Sequence, residues 1–224
     1  MMVTMTKGNL IYFMGIDGSG KSTLSNYLKD ELKLEGYDVD YLWWFEGENS
    51  LIRRIIKKIS GVTYEDPNDA VKSNSNNSKN NLIKTLYSTI VLFDYLKSVP
   101  FKLYMPILGK NKILILDRSM YDTILSLSNE FNFSKEKRDM LLRFYDKISP
   151  EPKIIFYIHV DHKIAFSRKK EDYKTLENAK SLSDKYLKLT DMLRELKPGK
   201  LIKIDNSKDL EYSKNKIKEH LKDL

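Results

Sequence analysis

Residues 15–22 read Gly-Ile-Asp-Gly-Ser-Gly-Lys-Ser, a complete match to G-x-x-x-x-G-K-[ST]. Those residue types at that spacing suit one task, holding phosphate. Glycines let backbone N–H groups curl around phosphate oxygens with no side chain in the way. A helix opening at the end of the motif points its positive pole at the same anion. Lys21 then reaches the β- and γ-phosphates, and the Ser22 hydroxyl is offered to Mg²⁺. Context agrees, because an apolar strand precedes the motif and an amphipathic helix follows it. The expected ATP-binding set is Gly15, Asp17, Gly18, Ser19, Gly20, Lys21, Ser22 and Thr23.

Residues 113–117, Ile-Leu-Ile-Leu-Asp, carry a second corner of chemistry, an apolar run ending on a carboxylate. In open α/β sheets, ligands bind outside the carboxyl ends of the strands. Asp117 is expected to hold Mg²⁺ there, directly or through water, opposite Ser22. Arg118 follows, and its planar fork can span two phosphates. The competing reading makes Asp117 an N-cap for the helix near Ser119 and leaves Arg118 on the surface.

These groups need a frame, and the hydrophobic pattern describes one. Residues 9–15 read as a buried strand, and Lys21 to Gly36 as a helix with Leu24, Leu28 and Leu32 on one face. Residues 37–44 read as a second strand. A helix carrying Leu51, Ile52, Ile55, Ile56 and Ile59 is expected to stop near Gly61. The polar stretch 66–81 reads as a long loop, mobile or functional. A longer helix is predicted from Leu82 to Val99, ended by Pro100. Strands follow at 112–116, 153–160 and 200–204, with helices over 120–130, 134–148 and 177–196. A last helix places Leu210, Ile217, Leu221 and Leu224 on one side. Short apolar strands alternating with helices specify a parallel sheet covered on both faces. One domain over 1–224 is expected, with neither an internal repeat nor a second-domain boundary.

A chain of 224 residues, 41% hydrophobic, is long enough for one packed α/β domain. Its net charge of +8 suits anionic partners: phosphorylated small molecules, nucleic acid or acidic lipid. The absence of cysteine excludes disulfides and thiolate metal sites. Polar Thr4, Thr6, Lys7, Gly8 and Asn9 interrupt any secretory apolar region. Runs such as 154–158 are too short to span a bilayer. The expectation is a soluble, cytoplasmic protein. His159 and His162 lack a third ligand at zinc spacing. Lys57, Lys58 and the C-terminal lysines read as solvated surface rather than a nucleic-acid patch.

The P-loop with Asp17 inside it, together with Asp117-Arg118-Ser119, resembles the thymidylate kinase family of nucleoside monophosphate kinases. Leu92-Phe93 and Val160-Asp161, the latter followed by basic residues, add to the likeness, which spans roughly 10–205. The resemblance implies a P-loop three-layer α/β/α sandwich with a parallel five-stranded sheet and a helical lid at about 163–176. It implies transfer from ATP to a monophosphate such as dTMP, with Mg²⁺, and often a homodimer. Carried over, Lys21, Arg118 and Arg168 would be catalytic, with Lys169 and Lys170 beside Arg168 in the lid. Asp17, Phe93, Lys97 and Arg118 would bind the acceptor, Asp17 through its sugar hydroxyl and Phe93 by stacking on its base. Ser22 and Asp117 would hold the metal. Arg53 or Arg54 is a candidate for the acceptor-phosphate arginine.

Plain structural readings stand beside these. Phe93 lies on an apolar helix and can pack in the core. At least one of Trp43 and Trp44, at the end of strand two, is expected to pack there. Arg168, Lys169 and Lys170 can form an ordinary solvated helix face. The departures from the family fall on the acceptor side. Lys97 stands where the family has arginine, residues 121–127 replace its Tyr-Gln segment, and residues 43–48 replace Glu-Pro-Gly-Gly. Relaxed or altered acceptor choice is therefore expected. Three alternatives remain open. A deoxynucleoside kinase would use Glu46, Glu48 or Asp122 as base. A regulatory nucleotide-binding protein would show little turnover, and a nucleic-acid binder is favoured by charge alone.

Overall fold

The computed structural model describes residues 10–43, 89–109 and 111–221. The predicted helix over 51–59, the polar loop 66–81 and the start of the helix from Leu82 lie outside them, as do Trp44, Glu46, Glu48, Arg53, Arg54, Lys57 and Lys58.

Five strands, β1 (Leu10–Met14), β2 (Asp38–Trp43), β3 (Lys112–Asp117), β4 (Ile154–His159) and β5 (Leu201–Asp205), pair in the order β2-β3-β1-β4-β5. Every pairing is parallel. The helices are α1 (Lys21–Leu34), α2 (89–98), α3 (Met120–Glu130), α4 (Lys135–Ile148), α5 (His162–Arg168), α6 (Lys170–Tyr173), α7 (Leu176–Leu196) and α8 (Leu210–Leu221).

Central β1 is buried at every residue and feeds two cores. Leu10, Tyr12 and Met14 pack with Leu114, Leu116, Ile155 and Tyr157, whereas Ile11 and Phe13 pack with Ile113, Ile115, Phe156 and Ile158. Consecutive strand residues point to opposite faces, so an unbroken apolar run needs cover on both. Leu24, Leu28 and Leu32 of α1, with Ile217 of α8, cover the second face and are fully buried. Each leucine contributes about 1.5–3 kcal/mol of burial, so Leu28→Ala costs about 2–5 kcal/mol once the cavity is counted. Residues of α2, α3, α4 and α7 cover the first face.

α1 ends two residues before the predicted Gly36, which instead adopts φ +91°. Gly36 N–H donates to Lys33 O at 3.1 Å and Tyr37 N–H to Leu32 O at 3.0 Å. That left-handed turn satisfies the last carbonyls and reverses the chain into β2. Pro100 does not end the helix before it. The chain stays helical through a wider π turn, Val99–Tyr104, and a 3₁₀ turn, Met105–Ile107. Met105 N–H bonds Pro100 O, and Pro100 stands in the first turn of the π segment, where its missing N–H leaves no bond of that segment unmade. In α8, Ile217 is buried as predicted, whereas Leu210 is exposed.

Candidate active site

Phe13 and Asp117 are register partners at the carboxyl ends of β1 and β3. Arg118 N–H extends that pairing to Phe13 O at 3.1 Å. The P-loop and the Asp117–Ser119 corner therefore emerge side by side. Gly20 sits at φ +91°, and a Cβ there would run into the Asn206 side-chain amide. That amide donates to Ser19 O at 2.8 Å, while Asn206 Oδ1 accepts from Ser213 Oγ at 2.8 Å and Asn206 N–H donates to His159 O at 2.8 Å. Buried Asn206 thus ties the loop to the β5–α8 connection, a role missed in the sequence.

Lys21 is buried, with Nζ donating to Ile16 O at 2.8 Å and lying 3.7 Å from Asp17 Oδ1. Asp17 Oδ1 also accepts from the Arg118 guanidinium. Burial pushes the Asp17 carboxyl up, but Arg118 and Lys21 outweigh it and hold the group below the usual range. Burial pushes Lys21 down, and Arg118 adds to that. Arg118 is only a quarter exposed and paired, so it is not a free surface residue.

Asp117 is buried, and its Oδ2 accepts from Ser22 Oγ at 2.5 Å and Tyr41 Oη at 2.9 Å. Its Oδ1 is buried with no hydrogen-bond partner among the described residues. The Asp117 capping alternative is corrected here. Ser119 is the N-cap of α3, and Asp122 closes the capping box by accepting from Ser119 N–H at 2.8 Å. Asp122 also accepts from Tyr186 Oη at 2.6 Å and Ser119 Oγ at 3.0 Å. This buried carboxylate is engaged structurally, which removes one candidate base for a nucleoside acceptor. Tyr41 went unnoticed in the sequence. Burial pushes its phenol up to about 12, so it remains a donor at neutral pH.

The Lys21–Ser22 corner opens into a cavity of about 580 Å³ lined also by Asp17, Thr23, Trp43, Asp117, Arg118, Arg168, Lys169, Asp172 and Lys208. Arg168 Nη1 donates to Gly18 O at 3.1 Å. Lys169 lines the cavity but exposed Lys170 does not, so the predicted basic trio divides. Tyr173 Oη donates to Asp17 O at 2.5 Å, a second clamp that sequence reasoning missed. Trp43 is 54% exposed beside Asp117, so it does not pack in the core.

On the expected acceptor side, Phe93 is 54% exposed, which rules out its core-packing alternative. Lys97 Nζ lies 4.6 Å from the Phe93 ring centre. Neither residue lines the cavity just described. Tyr121 is buried and donates to Asp146 Oδ1 at 2.5 Å.

Comparison with known proteins bears on this site. The family model described as thymidylate kinase matches residues 13–217. The curated "Probable thymidylate kinase" of Methanocaldococcus jannaschii is 27% identical over 227 residues, covering 98% of this chain and 99% of the relative. The "Thymidylate kinase" of Aster yellows witches'-broom phytoplasma is 27% identical over 240 residues, covering 96% and 97%. The crystal structure of thymidylate kinase from Ehrlichia chaffeensis superposes with a TM-score of 0.56 at 19% identity, covering 96% of this chain and all of that one, and bears out the fold. No helix among the described residues is long and apolar enough to cross a membrane.

Proposed function

The chain belongs to the thymidylate kinase family, and from that premise we propose how its residues divide the work of phosphoryl transfer. The enzyme is an ATP-dependent nucleoside monophosphate kinase of the thymidylate kinase type. Its acceptor, on this reading, is dTMP or a related monophosphate. An acceptor phosphate oxygen bonds to the γ-phosphorus as the bond to the ADP oxygen breaks. Such a transfer needs alignment and compensation of charge more than covalent help from the protein.

The observation that carries the assignment is the convergence on one cavity of Lys21, Arg118 and Arg168 with the Ser22–Asp117 pair. The P-loop amides and Lys21 hold the donor's β- and γ-phosphates. Arg118 spans donor and acceptor phosphates, releasing Asp17 toward the acceptor's sugar hydroxyl. Arg168 brings charge from the lid, and Lys169 supports it. Phe93 and Lys97 form the base-binding side when the acceptor is present. Ser22 and Asp117 are the residues for Mg²⁺, and Asp117 Oδ1, without a hydrogen-bond partner among the described residues, fits a hard cation that prefers oxygen. Held there alongside ATP, Mg²⁺ would supply positive charge to offset that of the phosphates. One domain, a homodimeric assembly as the resemblance implies, and work in the cytoplasm complete the reading.

The test is ADP formation with dTMP, with thymidine and with no acceptor, using the wild type and Lys21→Met. Acceptor-dependent ADP release with dTMP alone, lost in the variant, is expected. Release with thymidine but not dTMP would make the protein a nucleoside kinase.

A further inference from the structure

Two hydroxyls from different elements converge on one oxygen of Asp117. Ser22 Oγ, at the start of α1, and Tyr41 Oη, on β2, both donate to Oδ2, at 2.5 and 2.9 Å. Oδ1 has no partner among the described residues although it is buried. A carboxylate anchored by one donor can still turn about its Cβ–Cγ bond, exchanging its oxygens. Two donors arriving from α1 and β2 fix which oxygen is engaged and which stays free.

Tyr41 is itself held. Its backbone lies in the sheet, in register with Ile115 of β3. Fully buried Ser25 Oγ lies 3.3 Å from Tyr41 Oη, and Lys29 Nζ lies 5.4 Å from the ring centre. The phenol therefore reaches Asp117 from a supported position. Groups that orient a metal's ligands without touching the metal tune its affinity, and losing one typically costs about 10–100-fold.

We propose that Tyr41 is a positioning residue for the divalent cation, holding Asp117 Oδ2 so that Oδ1 remains available as the metal-facing oxygen. This rests on the reading above that Ser22 and Asp117 hold the metal. Tyr41→Phe keeps the ring and its packing and removes only the anchoring hydroxyl. Ser22 then holds the carboxylate alone, and part of its population presents the wrong oxygen or none. The defect is specific to the cation, because among the described residues the Tyr41 hydroxyl meets Asp117 and Ser25 and not the P-loop groups expected to take the phosphates.

The experiment measures binding and does not depend on turnover. Free Mn²⁺ is followed by electron paramagnetic resonance as wild type, Tyr41→Phe and Asp117→Asn are titrated in the presence of a non-hydrolysable ATP analogue. The analogue's affinity is measured separately in EDTA by calorimetry. Tyr41→Phe is expected to weaken Mn²⁺ binding by about tenfold or more, with the affinity in EDTA unchanged. Its turnover should recover at high Mg²⁺. Wild-type Mn²⁺ affinity in Tyr41→Phe, alongside a loss in Asp117→Asn, would overturn the role of Tyr41 and leave the metal assignment standing. Equal Mn²⁺ binding in all three proteins would overturn both. An equal loss with and without metal would make Tyr41 a residue of the general fold, and the proposal would fail.

Discussion

Arg118 and Asp17 form an ion pair that joins the end of β3 to the P-loop, and Lys21 Nζ stands 3.7 Å from the same Asp17 oxygen. Two cations expected to face phosphate thus share one carboxylate. This arrangement keeps both charges paired near a buried corner, where an unpaired charge is costly. It also places each cation within a short side-chain movement of the cavity that both line.

The pair has a pH signature. Burial raises the Asp17 carboxyl, but Arg118 and Lys21 reverse this and the group ends below its ordinary value. A carboxylate lowered in the folded state adds stability above its unfolded pKa of about 3.9, and that stability is lost as pH falls through the folded value. Melting temperatures of wild type and Asp17→Asn should therefore differ at pH 7 and converge below about pH 4. A constant gap across pH 7 to 3 would mean that Asp17 titrates alike in both states.

Lys21→Met separates chemistry from folding. Burial and then Arg118 lower the lysine's pKa, so the fold disfavours its charged form. Removing that charge should leave the melting temperature equal or higher. Turnover should fall by about two orders of magnitude or more, the loss expected for a donor on the transferring phosphate. Retained activity above about a tenth would place the charge elsewhere.

Arg118→Ala should lower turnover to a similar extent, about a hundredfold or more, because the contact matters most when charge develops. A change in melting temperature with kinetics untouched would make the Asp17 pair purely structural.

Within the basic segment 168–170, the structure predicts a split result. Arg168 bonds Gly18 O, whereas Lys170 is exposed away from the cavity. Arg168→Ala should reduce kcat by about tenfold or more while changing ATP binding little, and Lys170→Ala should leave both unchanged. Equal losses from the two substitutions would show a diffuse charge effect instead.

The P-loop, the order of the described elements and the Asp117–Arg118 corner are legible because each is a local pattern of residue type and spacing. Tyr173 and Asn206 are not, since each acts through a bond to the P-loop from more than 150 residues away. Only the path of the chain brings those hydroxyl and amide groups to Asp17 O and Ser19 O. Tyr41 lies within the strand read at 37–44, and nothing in its sequence neighbours reveals that its phenol meets Asp117. Pro100 misled for a different reason. The rule that proline ends a helix assumes a proline in the helix interior, whereas Pro100 stands in the first turn of the π segment from Val99. Phe93 sits among apolar neighbours in sequence, yet its exposure follows from which helix face meets the sheet.

The acceptor's base is the remaining question the site can answer. A site that reads thymine needs donors aimed at its carbonyl edges, because an unmet polar edge in a closed pocket costs about 1–3 kcal/mol. Lys97 stands where the family resemblance calls for arginine, and its ammonium rests over the Phe93 ring at 4.6 Å. A lysine supplies a point charge and not two parallel bonds. Tyr121, in the segment that replaces the family's Tyr-Gln pair, is buried and donates to Asp146 at 2.5 Å. It is therefore committed to the core and takes no part in reading a base. Phe93, exposed on α2, can stack on any base, and stacking discriminates weakly. The expected outcome is broadened acceptor choice, with kcat/KM for dTMP rivalled by dUMP or by at least one other deoxynucleoside monophosphate. The measurement is kcat/KM for dTMP, dUMP, dCMP, dAMP and dGMP under one set of conditions, with Lys97→Arg run beside the wild type. Lys97→Arg should sharpen the preference for dTMP by restoring a planar donor. A wild-type preference for dTMP of about a thousandfold over dCMP and both purines would overturn the prediction, because fit and stacking alone do not deliver that ratio.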